Sequence, residues 1–229
     1  MRKGYCIGVL GTVGSGKTTT LRRIIQDNPS KRFVVYGAED SFGQFILGTW
    51  KGNRFQHYPG SLNLAECAVV QKREHIQAQL QRKRIVIVRE PGIFGLIQYA
   101  VDNLAGVTLV IDELDTAREI RHTIRDLPLA MTRLISKGRH IQNHGKQGLS
   151  LVFACQKMSR VHNDILDECK VIFCHRLTSS KQRKRLDNWL EVDKDLSFLQ
   201  SLEIGACVKS ESGLTLERQP SYSLSDYLP

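Results

Sequence analysis

Proline is scarce in this chain, six residues in 229, and nothing in it is repeated or compositionally narrow. Hydrophobic residues make up 41% and charged residues 24%. That balance lies outside the weakly hydrophobic, highly charged regime of disordered chains, and a length of this order buries the core of one α/β domain, so a single domain over 1–229 is expected. Long apolar runs are also missing. No stretch approaches the roughly 18 consecutive apolar residues that cross a bilayer. The basic-then-apolar start, Met1 to Leu10, is too short for a signal peptide and leads directly into a glycine-rich segment, so neither export nor membrane insertion is expected. The six cysteines (Cys6, Cys67, Cys155, Cys169, Cys174, Cys207) contain no C-x-x-C pair and lie mostly in apolar runs. They are expected as reduced, buried thiols, not as a disulfide framework or a zinc site.

Acidic residues are in deficit. Lys and Arg number 33 against 23 Asp and Glu, a net charge of +10, and this points to a polyanionic partner. The excess is uneven: ten basic residues face three acidic ones between Arg139 and Arg185, whereas acids outnumber bases from Glu191 onward. A second basic cluster comprises Lys72, Arg73, Arg82, Lys83, Arg84 and Arg89.

Short β-branched runs alternate with longer amphipathic stretches, the pattern of a mostly parallel sheet covered by helices on both faces. Strands are expected near Tyr5–Leu10, Phe33–Tyr36, Arg84–Val88, Thr108–Asp112, Leu149–Cys155 and Val171–Leu177. Helices are expected from Gly16, within Asn63–Gln81, at Phe94–Asn103, Leu127–Lys137, Val161–Glu168 and Ser180–Leu190. Runs such as Leu109-Val110-Ile111 are apolar throughout, as strands buried on both faces require. An irregular excursion is expected at about 37–60, and a C-terminal hairpin at about 203–219.

Residues 11–18, Gly-Thr-Val-Gly-Ser-Gly-Lys-Thr, fit the phosphate-loop signature G-x-x-x-x-G-K-[ST] at every defined position. Glycine allows the tight turn that aims successive N–H groups at an anion, and the following helix adds its positive end. Gly11, Thr12, Val13, Gly14, Ser15, Gly16, Lys17, Thr18 and Thr19 are therefore the expected nucleotide-binding residues. Lys17 is expected on the β- and γ-phosphates of ATP, and the Thr18 hydroxyl on Mg²⁺. The strand Thr108-Leu109-Val110-Ile111 ends in Asp112-Glu113. Asp112 is expected behind Thr18 as the second metal-binding residue, with Glu113 as the base that polarises water. A carboxylate in that place favours hydrolysis over transfer to a metabolite. A kinase would want an arginine-bearing lid, for which the cluster at Arg82–Arg89 is a candidate. The strand Leu149–Cys155 runs into Gln156, whose amide is placed to sense the γ-phosphate and orient water.

The stretch Lys137-Gly138-Arg139-His140, the Gln156-ended strand, Asn163-Asp164-Ile165-Leu166, the run Val171–Thr178 and the tail Leu202–Val208 together resemble the ATPase core of the FtsK–HerA superfamily. The resemblance touches most of the chain from Ile7 to Val208. It implies a hexameric ring in which ATP lies between neighbouring subunits and hydrolysis drives double-stranded DNA through a central channel. It further implies an arginine finger acting across subunits, with Arg139 the first choice and Arg133 and Arg176 its rivals. Neither the transmembrane helices of chromosome pumps nor the added domains of archaeal repair helicases are seen. The size is that of minimal viral genome-packaging ATPases, which implies an enzyme of the host cytoplasm or the virion, held by a capsid or membrane protein. Alternatives are an assembly ATPase of the filamentous-phage type, a slowly hydrolysing regulatory switch, and a kinase. Lys51, Arg54, Lys181, Arg183, Lys184 and Arg185 are the candidates for gripping DNA phosphates.

Overall fold

The structure, a computed structural model, describes residues 5–37, 45, 48–51, 54–57, 61–90, 92–121, 125–143, 145–190, 196–211 and 215–219. In chain order its first half contains β1 (Cys6–Leu10), α1 (Lys17–Gln26), β2 (Arg32–Tyr36), β3 (Gly48–Lys51), β4 (Arg54–His57), β5 (Cys67–Val70), α2 (Ile76–Leu80), β6 (Ile85–Val88), α3 (Ile93–Asn103) and β7 (Val107–Ile111). Then follow α4 (Leu129–Lys137), β8 (Gln142–Asn143), β9 (Lys146–Gln147), β10 (Leu149–Cys155), α5 (Asn163–Asp167), β11 (Cys169–Cys174), α6 (Ser180–Leu190), β12 (Cys207–Glu211) and β13 (Thr215–Gln219).

Nine strands form one sheet in the order β13-β12-β11-β1-β10-β7-β2-β6-β5. The seven from β11 to β5 are parallel, and β12 and β13 add an antiparallel hairpin at the edge. Strand side chains alternate between the two faces. Ile85 and Ile87 of β6 join a cluster with Leu21, Ile24 and Ile25 of α1. Val86 and Val88, one residue out of step, join the larger cluster built from α3, α4, α5 and Leu186 of α6. Central strands thus carry apolar residues at every position because both faces are roofed, and β7 and β10 are buried along their whole length.

Two expectations need correction. A helix does lie within Asn63–Gln81, the short α2, but the same stretch also holds two 3₁₀ turns and the unexpected strand β5. β5 pairs on one side alone, with β6, and is only four residues long, Cys67-Ala68-Val69-Val70, an apolar run too short for its period to separate a strand from a helical turn. The excursion at 37–60 contains an antiparallel hairpin, β3 with β4, whose register sets Trp50 opposite Phe55 and Lys51 opposite Arg54 along the backbone. Its remaining positions lie outside the described residues, apart from residue 37 and Phe45. A second hairpin, β8–β9, lies between Arg139 and β10. All six cysteines are buried and unbridged, and among the described residues no helix is long and apolar enough to cross a membrane.

The join between α4 and β10 is sterically tight. A Cβ on Gly138 would lie 2.4 Å from the Leu149 carbonyl oxygen, backbone that cannot swing aside. Gly138→Ala is expected to destabilise the fold by about 1–3 kcal/mol, read as a lower urea midpoint at constant m-value.

Candidate active site

The parallel register brings the ends of β1, β7, β10 and β11 to one edge. Leu10 is level with Cys155 on one side and Cys174 on the other, and Phe153 is level with Ile111. The glycine-rich loop leaves β1 there and enters α1, with Gly14 and Gly16 at φ 68° and 105°, values that a side chain resists. Gly16 is doubly constrained, since a Cβ would approach Gly205 Cα to 2.9 Å. Neighbouring segments brace the loop. The Thr12 N–H and hydroxyl donate to the Arg176 carbonyl at 3.0 and 3.1 Å, and Gly205 N–H donates to the Ser15 carbonyl at 3.0 Å.

Lys17 is 6% exposed and donates from Nζ to the Thr12 carbonyl at 2.8 Å. Burial lowers its pKa, opposed chiefly by Asp112. Asp112, 3% exposed, accepts from Thr18 Oγ1 at 2.7 Å on Oδ2 and from Glu113 N–H at 3.1 Å on Oδ1. Burial raises its pKa, against the pull of the Thr18 hydroxyl and Lys17. Among the described residues no cluster of three His, Cys, Asp or Glu offers a metal cage. The Thr18–Asp112 pair is instead a hard oxygen set of the kind Mg²⁺ uses when phosphates and waters complete its shell. The donors present therefore fit that ion.

Glu113 sits at φ 57°, ψ 47° and is the one non-glycine residue with positive φ among those described. This conformation costs about 1–2 kcal/mol. It turns the chain immediately after β7, and the Glu113 carbonyl accepts from Thr116 N–H and Oγ1 at 3.0 and 2.9 Å. Glu113 Oε1 accepts from Gln156 Nε2 in a short hydrogen bond. The proposed base and the strand-terminal amide therefore meet, beside Thr18, Asp112 and Lys17.

Arg139 lies elsewhere. Gly138 abuts Leu149 at the start of β10, whereas the phosphate loop begins at its end, where Gly11 N–H donates to the Cys155 carbonyl at 3.3 Å. Seven residues of strand at about 3.3 Å each put roughly 20 Å between them. Exposed Arg139 lines a cavity of about 270 Å³ with Tyr5, Cys6, Glu168 and Lys170 at the far edge of the sheet. Thr19 accepts from Arg22 Nη2 at 2.9 Å.

Three residues matter here that sequence reasoning did not single out for the site. Asp115, 4% exposed, takes both the Gln156 and Lys157 N–H groups at 3.1 Å. Gln182 donates to the Gln156 carbonyl at 3.1 Å. His175, fully buried, faces the Ala206 carbonyl with Nδ1 at 3.0 Å and Thr20 Oγ1 with Nε2 at 2.9 Å. A carbonyl only accepts, so Nδ1 carries the proton and Nε2 accepts from Thr20. Asp115 was visible as a third acid closing Ile-Asp-Glu-Leu-Asp, and His175 lay within the Val171–Thr178 run that carried the resemblance but was given no role; nothing in the sequence marked Gln182.

Several basic residues prove to be structural pegs. Arg183 caps the Leu177 and Thr178 carbonyls, both at 2.8 Å, and Arg185 bonds Val161 O and Asn163 Oδ1 at 3.1 and 2.6 Å. Arg84 pairs with Glu66 at 2.5 Å and stacks over Phe33, while Arg73 pairs with Glu90 at 2.6 Å.

No protein-family model matches the sequence, and no curated protein matches it either. Solved structures do. The genome packaging NTPase B204 of Sulfolobus turreted icosahedral virus 2, bound to sulfate, is similar with a TM-score of 0.70 at 12% identity, over 97% of this chain and 99% of that one. That protein has also been solved with AMPPCP and with ATP-γS. B204 from Sulfolobus turreted icosahedral virus, called a DNA-packaging ATPase, gives 0.65 at 12% identity over 97% and 100%. The pCW3 conjugation coupling protein TcpA gives 0.57 at 14% identity, over 98% of this chain and 62% of TcpA. Likeness at such identities is one of fold. This chain has the P-loop NTPase fold that B204 has.

Burial holds His175 neutral, its pKa pushed down to about 4 from 6.5. The unfolded chain takes up this proton below about pH 6.5 and the folded protein does not. The stabilisation is thus complete above that pH and is lost on the way to pH 4, by about 3 kcal/mol. In His175→Gln, melting temperature is expected to fall less steeply between pH 6.5 and 4.5 than in the wild type.

Proposed function

We propose that this chain is a single motor domain that hydrolyses ATP to move double-stranded DNA, as the packaging ATPase of a virus. The observation that carries the hydrolytic part is the Glu113–Gln156 contact beside Thr18, Asp112 and Lys17. In this reading Lys17 leaves the Thr12 carbonyl for the β- and γ-phosphate oxygens of ATP. Thr18 and Asp112 would hold Mg²⁺, which would supply charge neutralisation for the triphosphate when bound. Glu113 takes a proton from a water whose oxygen attacks the γ-phosphorus. The bond to the β-phosphate oxygen breaks, and ADP leaves with the electron pair. Gln156 keeps the carboxylate aimed and hydrogen-bonds the water or the γ-phosphate.

Against the kinase reading, Arg82, Lys83 and Arg84 precede β6 and so lie at the edge of the sheet away from the phosphate loop, with Lys83 and Arg84 tied to Ala65 and Glu66; of the cluster at Arg82–Arg89, Arg89 alone follows β6 toward the loop's edge. The packaging reading draws on likeness to B204 along nearly the full length of both chains and on the basic surface, where Lys181 and Lys184 are exposed on α6. Arg139, about 20 Å from its own loop, would reach ATP only from a neighbouring subunit. That supports a ring, hexameric in this reading, with an arginine finger in trans. Such a motor would work in the host cytoplasm or on the virion, docked to a capsid or membrane protein.

Three outcomes are expected in a steady-state ATPase assay. Duplex DNA raises turnover, and a rate indifferent to it would remove the translocase reading. Glu113→Gln lowers kcat by about 10²–10⁴-fold while retaining ATP; unchanged turnover would favour the regulatory switch. Lys17→Ala and Arg139→Ala are each inactive, yet regain activity when mixed, because a mixed ring contains interfaces with both residues intact; a mixture that stays inactive would exclude the finger in trans.

A further inference from the structure

Gln156 is the first residue beyond β10, where ladder hydrogen bonds end and the main chain must find other partners. It finds them on two neighbouring elements. Asp115, in the 3₁₀ turn Leu114–Thr116 that follows Glu113, accepts Gln156 N–H on Oδ1 and Lys157 N–H on Oδ2, both at 3.1 Å. On the opposite side, the Gln156 carbonyl accepts from Gln182 of α6 at 3.1 Å. Between these anchors the Gln156 side chain reaches Glu113 Oε1. Asp115 is 4% exposed, and a buried carboxylate is kept only where strong donors satisfy it. It sits two residues from Glu113, so one short turn carries both the catalytic carboxylate and the group that fixes that carboxylate's partner.

We infer that Asp115 is a positioning residue for hydrolysis: it locks the turn after β7 to the end of β10 and thereby sets the Gln156 amide on the Glu113 carboxylate. The inference deepens the ATPase reading and rests on it. Asp115 acts through Gln156, its two carboxylate oxygens being taken up by the Gln156 and Lys157 N–H groups. Its second oxygen matters as much as its first, because two parallel main-chain bonds fix the direction of the strand end where a single one would leave it free to pivot. Asn keeps one acceptor but turns an amide NH₂ toward a main-chain N–H, so Asp115→Asn opens half of the clamp with little change in volume.

The test combines kinetics with hydrogen exchange. In Asp115→Asn, kcat is expected to fall about 10- to 100-fold, the range for mispositioning by a fraction of an ångström, while KM for ATP stays within about twofold. The loss should vanish in a Gln156→Ala background, since a residue acting through Gln156 has nothing left to position. Penalties that multiply in the double variant, or a raised KM at unchanged kcat, would overturn the proposal. Hydrogen exchange on the wild-type protein needs no variant. The Gln156 and Lys157 amides should be slowed about 100-fold or more relative to an open loop, and exchange at loop rates would overturn the clamp itself. Wild-type protein without ATPase activity would sink the functional reading, whereas slow exchange would still show the clamp in place.

Discussion

The parallel register of β7, β10, β1 and β11 is the constraint on which the rest depends. Parallel strands all present the same end at one edge of a sheet, and a strand end is where main-chain groups lose their ladder partners. Because Leu10, Cys155 and Cys174 are level and Ile111 is level with Phe153, the residues just beyond them fall into a band only a few residues deep. The phosphate loop, Asp112-Glu113, Gln156 and His175 are those residues. None of them is adjacent in sequence except the paired acids, yet each comes into hydrogen-bond reach of the loop, of α1 or of another strand end without any long-range fold of the loops themselves. Slipping one strand by a residue would also turn its side chains to the wrong face. The buried apolar alternation that holds the two cores therefore holds the site as well.

Much of this was legible because it is written in local chemistry. The loop at 11–18 declares its conformation through glycine, and Asp112-Glu113 closes a run of apolar residues too continuous to be anything but a two-faced strand. Gln156 was legible for the same reason. What was not legible depends on partners that sequence distance hides. The Asp115 bonds run across 41 and 42 positions and the His175–Thr20 bond across 155. A histidine inside Phe173-Cys174-His175-Arg176 reads as one more polar residue near a strand end until the loop is laid over it. Strand β5 was missed for the opposite reason: with a single paired edge, its local pattern is too weak to distinguish from a short amphipathic helix.

Net charge overstated the surface available to a polyanion. Arg73, Arg84, Arg183 and Arg185 are committed to carboxylates, carbonyls or an aromatic face. The long planar guanidinium is suited to such work, since it can satisfy several stranded acceptors from one stem. Lysine on the same helix, at Lys181 and Lys184, is left facing solvent. The division within α6 is physical. Arg183 and Arg185 tie the helix to the segments before it, the Leu177–Thr178 carbonyls and the Val161–Asn163 corner, and so fix the helix that offers the two lysines outward. An electrostatic footprint read from composition counts both kinds alike, whereas only the second kind is placed to exchange counterions for phosphates.

The strained backbone at Glu113 then acquires a reason. A left-handed glutamate gains nothing for stability, and a glycine would adopt the same turn without penalty. The position must therefore want a carboxylate, and the surroundings over-determine it: Asp112 takes the Glu113 N–H, Thr116 holds the Glu113 carbonyl twice, and Gln156 holds the side chain. Asp115, accepting the Gln156 and Lys157 N–H groups, and Gln182, donating to the Gln156 carbonyl, hold that Gln156 in turn. Hydrogen bonds to ionised groups contribute roughly 1.5–3 kcal/mol each, enough together to outweigh the strain. The arrangement spends that surplus on holding one carboxylate at a fixed place and angle. The water-activating role proposed for Glu113 would require this, and a cap for the next turn would not.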